Sequence, residues 1–250
     1  MDGRHEIKHY INMEDYILLR SRLRLIAKPD ENAAADGGYL VRSLYFDNYA
    51  DKAVVEKLAG LSKREKFRIR YYNGDVSFIR VEKKSKSNRL TYKESALITK
   101  EQCAAVINGK YDCLKSQPTQ PTQLLQPTPP AQLAPPGEPE TQPGLQNNLL
   151  MELYTKIRYQ NLRPRSIVDY RREAYVYKAG NVRVTFDSNI RTSNSVSGFL
   201  NPKLPTIPAA NAIILEVKYD GFLPGVIRDI LQIGWRSDTE FSKYVAARLA

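Results

Sequence analysis

Apolar and charged residues alternate at every second position in several well-separated stretches of the chain. In "KFRIRYYNGDVSFIRVEKKSK", residues 66–86, a strand conformation puts Arg68 and Arg70 on one face and Phe67, Ile69 and Tyr71 on the other. Asn73-Gly74-Asp75 supplies a turn, after which Arg80, Glu82 and Lys84 share a face opposite Ile79 and Val81. The same alternation sets Glu6 and Lys8 against Ile7. It recurs with Arg183, Thr185 and Asp187 against Val182, Val184 and Phe186, and with Glu216 and Lys218 against Leu215 and Val217.

Helical periodicity falls between these strands. Asn12 is an N-cap for a helix from Met13 to about Ala27, with Glu14 and Asp15 in its first turn. "NYADKAVVEKLAG" reads as a helix ending at Gly60. Thr99 with Gln102 three residues on has capping-box spacing and starts another. "NLLMELYTKIRYQNL" is apolar at helical intervals and stopped by Pro164. "PGVIRDILQIGW" and a last helix from Ser237, with Glu240 at the capping-box position, close the chain. About eight strands in hairpin order with five or six helices predict an α+β fold with an antiparallel sheet or barrel.

Composition interrupts this pattern once. Residues 116–144 hold nine of the fifteen prolines and almost no charge, which predicts a flexible Pro/Gln-rich linker over residues 115–148. The chain then reads as one domain spanning 1–250 and built from two segments, 1–114 and 149–250. Lys and Arg exceed Asp and Glu by 11, which points to a polyanionic partner. Cys103 and Cys113 suggest neither a disulfide framework nor a zinc site, so a reduced, cytoplasmic setting is expected. No window reaches the roughly 18 consecutive apolar residues of a membrane span.

Two arrangements fit the charged faces. In one, an open sheet leaves them in water. In the other, the sheet closes with charge inside and helices outside. The carboxylates Glu82 and Glu216 among so many cations suit a phosphate site that also holds a divalent metal, because hard cations take carboxylate and phosphate oxygens together. His5 and His9 lie on the Ile7 face and read as peripheral structural residues, and Tyr71 and Tyr72 as packing residues.

The segments "EIKHYI", "SLYFDN", "FRIRYY", "VEKKSK", "YRREAY", "VRVTFD", "LEVKYDG" and "FSKY" resemble, in order and spacing, the VTC domain. This is the polyphosphate polymerase domain of the vacuolar transporter chaperone family, in the triphosphate tunnel metalloenzyme superfamily. The resemblance implies an eight-stranded antiparallel β-barrel tunnel with a charged lumen and helices outside. It implies transfer of the γ-phosphate of ATP to a polyphosphate chain with Mn²⁺ or Mg²⁺. The family's basic tunnel residues fall on Lys8, Arg68, Arg70, Lys84, Arg172, Arg183 and Lys243, with Lys93 and Lys218 as additional phosphate contacts. Its metal-binding glutamate falls on Glu216, joined by Glu82 and Glu6 as further metal candidates. Family relatives are tethered to membrane subunits, so membrane association here would come through a partner protein.

Two features depart from the pattern. Arg4 stands where the superfamily's hydrolases and cyclases carry the first glutamate of Glu-x-Glu-x-Lys, which favours a polymerase-type or phosphate-binding tunnel. The Pro/Gln-rich segment falls where the family has helical sequence. The alternatives are a metal-dependent tripolyphosphatase or nucleoside triphosphatase, and a non-catalytic polyphosphate-binding module. No motif supports nucleic-acid binding.

Overall fold

A computed structural model describes residues 3–115, except 32, 35 and 89, and residues 143–250, except 233 and 234; the side chains of 143–147 are not described. Most of the predicted linker therefore lies outside the described residues. Ten strands and six α-helices are present among them. The strands are β1 (His5–Ile11), β2 (Lys28–Pro29), β3 (Gly38–Asp47), β4 (Lys63–Tyr72), β5 (Asp75–Ser87), β6 (Leu90–Ile98), β7 (Arg163–Tyr177), β8 (Val182–Ser193), β9 (Ile207–Ala210) and β10 (Ile213–Tyr219). The helices are α1 (Met13–Leu23), α2 (Lys52–Leu58), α3 (Lys100–Ile107), α4 (Pro143–Tyr159), α5 (Gly225–Ile230) and α6 (Lys243–Leu249).

All strands join one antiparallel sheet in the order β1-β10-β8-β7-β3-β4-β5-β6, with β2 added on β7 and β9 on β8. The two segments interlock, because β1 leaves its own half to pair with β10 while β3 pairs with β7. The expected eight-stranded barrel is not closed by a continuous ladder. Its two end strands meet at one bridge, where Arg4 and Thr91 exchange backbone hydrogen bonds of 3.0 and 3.1 Å. Arg4, the residue that departs from the hydrolase signature, also donates to Asp220, just past the end of β10, at 2.7 Å.

Local sequence signals explain several boundaries. Asn12 accepts from the Asp15 amide at 2.7 Å, and Thr99 with Gln102 forms a complete capping box. Asn73 and Gly74 both adopt positive φ (51° and 75°), the backbone that a two-residue hairpin turn requires. α1 stops at Leu23, short of the expected Ala27, and α4 begins at Pro143, a residue whose fixed φ suits a first helical position.

The last helix differs from expectation. It starts at Lys243, not Ser237, with Ser242 as its N-cap. Residues before it are drawn onto β1: the Thr239 amide donates to the Lys8 carbonyl at 2.8 Å, and His9 Nδ1 lies 3.0 Å from the Ser237 carbonyl. His9 is accordingly fully buried, not peripheral.

The outer face of the sheet carries two apolar clusters. One sets Phe67, Ile69, Val81 and Ile167 against Cys103 and Val106 of α3 and Leu149, Leu153 and Ile157 of α4. The other sets Val184, Phe186, Leu215 and Val217 against Leu19 and Leu23 of α1 and Ile227 of α5. Each buried aliphatic side chain contributes about 1.5–3 kcal/mol, so this face holds the helices on the sheet. A third cluster lies on the opposite face, where Tyr39, Val41, Tyr45, Val168 and Tyr170 pack against Tyr244 and Val245 of α6.

Candidate functional site

The strand registers align the charged residues across the sheet. Lys8 faces Glu216 and Glu6 faces Lys218 between β1 and β10; Lys218 faces Arg183 between β10 and β8. Asp187 faces Arg172, and Arg172 faces Tyr39. Ser43 faces Arg70, Tyr45 faces Arg68, Arg68 faces Glu82, and Lys84 faces Lys93. The sheet curls so that residues from both of its ends touch: Lys84 of β5 reaches Glu6 of β1 at 2.6 Å. Every residue singled out from the sequence as a basic or acidic site group lies on this inner face or, for Lys243, at the start of α6 packed over it.

Three knots of charge organise the interior. In the first, Glu6 receives Lys8 at 2.7 Å and Lys84 at 2.6 Å, while Glu216 receives Lys218 at 2.9 Å. Burial and the neighbouring Glu216 push the Glu6 carboxyl up, but Lys8, Lys84 and Lys218 outweigh them and hold it below the usual carboxylate range. Glu216 is held well below that range, as Lys218, Lys8 and Lys84 overcome its burial. Burial brings Lys84 down to about 7, with Lys8 beside it repelling the added charge. For Lys8 burial acts in the same direction, but Glu6 and Glu216 reverse it and raise the ammonium above its ordinary value.

The second knot centres on Glu82, which is 1% exposed. Arg68 Nε donates to it at 2.6 Å, Arg70 Nη1 lies 3.5 Å away, and Lys93 Nζ approaches its other oxygen at 2.9 Å. In the third, Arg172 grips the buried Asp187 at 2.6 and 2.7 Å, and Lys243 Nζ lies 2.5 Å from the same carboxylate. Arg183 pairs with Asp30 and donates to the Tyr39 hydroxyl at 3.1 Å. The cations outnumber the carboxylates, and buried like charge without full neutralisation is costly. Such an interior is complementary to a polyanion.

Aromatic rings fill the space between the cations. Tyr170 accepts from Arg70 at 3.0 Å and lies under Arg172 and Lys243, 5.3 and 4.8 Å from its ring centre. Tyr45 accepts from Arg68 at 3.1 Å; its burial opposes ionisation, yet Arg68, Lys66 and Arg70 bring its hydroxyl down to about 7. Burial also takes Lys66 down to about 8. Tyr45, Lys66 and Tyr170 were not among the sequence candidates. The available signal was the parity of Tyr39, Val41, Ser43 and Tyr45, which places β3's tyrosines on the charged face of its neighbours.

The interior opens beside α6 and α2 into a cavity of about 130 Å³. Glu6, Lys8, Lys66 and Lys84 lie on its inner wall, and Lys57, Arg64, Lys86 and Glu240 at its rim. No cluster of three or more His, Cys, Asp or Glu with metal-site geometry occurs among the described residues.

The VTC domain model matches residues 3–250. The chain belongs to the VTC domain family. That family places it in the triphosphate tunnel metalloenzyme superfamily. No curated protein matches. Among solved structures, a candidate adenylate cyclase from Bacillus halodurans shares 12% identity at a TM-score of 0.51, with 96% of this chain and 94% of that one covered. A protein from Pyrococcus horikoshii OT3 is 12% identical at a TM-score of 0.43, with 98% of both chains covered. The first of these likenesses extends to the fold and no further. No helix among the described residues of this VTC domain is long and apolar enough to cross a membrane.

Proposed function

We propose that this VTC domain transfers the γ-phosphoryl group of ATP to the end of a polyphosphate chain within its charged interior. The observation that carries the reading is the convergence of Arg68, Arg70, Arg172, Arg183, Lys8, Lys84 and Lys243, from strands of both segments and α6, on one inner face with aromatic rings between them. The single seam between Arg4 and Thr91 supports a tunnel as the form of that interior.

A terminal oxygen of the chain attacks the γ-phosphorus, the bond from that phosphorus to its bridging oxygen breaks, and ADP leaves with the electron pair. Little covalent work falls to the protein; alignment and stabilisation of spread negative charge do most of it. Arg68, Arg70, Arg172 and Arg183 suit this because a guanidinium donates to two phosphate oxygens at once. Lys93 and Lys218 extend the cationic lining. Glu82, engaged by Arg68 and Lys93, orients those cations as well as standing among the metal candidates.

The residues fit Mn²⁺ or Mg²⁺ held jointly with substrate. Glu216 and Glu6 are ionised carboxylates on adjacent strands, and such cations complete their shells with phosphate oxygens and water. When bound, the metal neutralises developing charge on the phosphoryl oxygens. A cytoplasmic location, with membrane contact through a partner, belongs to the same reading.

Incubation with ATP and Mn²⁺ tests the proposal. Chains and ADP are expected; ADP with free phosphate alone would make the activity hydrolytic. If Arg70→Ala left the binding of both ATP and polyphosphate unchanged, the interior would not be the site.

A further inference from the structure

The segment that was expected to begin the last helix crosses the mouth of the interior instead. Thr239 is tied to β1 and Lys243 sits on Asp187, so Glu240 between them is held over the rim. Its carboxylate contacts three cations from three elements: Lys57 of α2, Arg64 of β4 at 3.4 Å and Lys86 of β5 at 3.5 Å. Among the described residues it is the carboxylate that all three share.

In an ordinary surface ion pair both partners are exposed, and the pair contributes little. Here the exposures are unequal. Glu240 is 63% exposed, whereas Lys57 and Arg64 are each 16% exposed. Burial draws Lys57 below its ordinary value, and repulsion from Arg64 and Lys8 adds to this despite the contact with Glu240. Lys57 and Arg64 are thus the sheltered members of the cluster, Lys86 is 30% exposed, and the acid is its most exposed member. The same cavity continues inward to Lys66, Lys84 and Lys8.

We propose that Lys57, Arg64 and Lys86 form an outer subsite for a phosphate unit of a long polyphosphate chain whose end lies in the interior, and that Glu240 is the internal occupant which the chain displaces. This rests on the phosphate reading of the interior. It adds a binding position at the mouth of the interior, and predicts that affinity depends on chain length.

Titration of the intact chain with two probes, inorganic tripolyphosphate and long-chain inorganic polyphosphate, tests it. Glu240→Gln removes the competing charge and keeps the side-chain length. It is expected to tighten long-chain binding about fivefold and steepen its salt dependence, with little change for tripolyphosphate. Lys86→Ala is expected to weaken the long chain selectively, and in the double variant most of the gain from Glu240→Gln disappears. Equal effects on both probes, or no effect of Glu240→Gln on the long chain, overturn the outer subsite while leaving the interior reading intact. If neither probe binds the unaltered protein, the interior reading falls and this one with it.

Discussion

Arg172 and Asp187, opposed across β7 and β8, make two parallel hydrogen bonds with Lys243 above the same carboxylate. Asp187 is fully buried, and burial alone would favour its neutral form; Arg172 and Lys243 win and lower its pKa. The acid fixes two cations that a phosphate would otherwise have to order, and such preorganisation strengthens charge stabilisation at a site.

Asp187→Asn leaves Arg172 and Lys243 buried with reduced compensation, and is expected to cost about 3–5 kcal/mol in urea unfolding. Saturating tripolyphosphate should recover part of that loss, because a phosphate oxygen can take the carboxylate's place.

Lys84 and Lys66 have folded pKa values of about 7 and 8, below the lysine value of 10.5, and Tyr45 lies at about 7, below 10.0. In each case the unfolded chain binds more protons than the folded one at alkaline pH. Stability therefore rises with pH from about 7 toward 10, by up to about 1.4 kcal/mol per pH unit for each group. Denaturation at pH 7 and pH 9 measures this, and Lys84→Met should flatten the rise.

The same groups link ligand binding to protons. At pH 8 Lys84 is mostly neutral, and an arriving polyanion favours its charged form. Tripolyphosphate binding at pH 8 should take up protons, seen by calorimetry as a binding heat that changes with the ionisation heat of the buffer.

Glu216→Gln should abolish metal stimulation of turnover while tripolyphosphate still binds in the presence of EDTA. Retained metal stimulation would remove Glu216 from the metal site.

Leu153 of α4 is fully buried between that helix and the sheet. Leu153→Ala is expected to cost about 2–5 kcal/mol in chemical denaturation, from lost transfer energy and the cavity left behind.

Much of this was legible in the sequence because it is local. Alternation separates Arg68 and Arg70 from Ile69, whatever the partner strand. The Asn12 cap, the Thr99–Gln102 box and the Asn73-Gly74 turn depend on residues within one turn of each other. Glu240 shows where local reading stops. Its capping-box spacing with Ser237 competes with the Thr239 amide's bond to the Lys8 carbonyl and the contact of the His9 ring with the Ser237 carbonyl, both to β1 more than two hundred residues earlier. A cap contributes about 1 kcal/mol, which such tertiary contacts override.

The sequence by itself determined that β1, β4, β5, β8 and β10 each have a charged and an apolar face, since side chains alternate by covalent geometry alone. It also determined a cationic excess that calls for an anionic partner. Only the tertiary structure decided that the charged faces turn toward one another, that β1 crosses to β10, and that Glu82 is spent on Arg68 and Lys93. Those outcomes depend on pairing between residues far apart in the chain, and curvature and side-chain partners exist only once the sheet has formed.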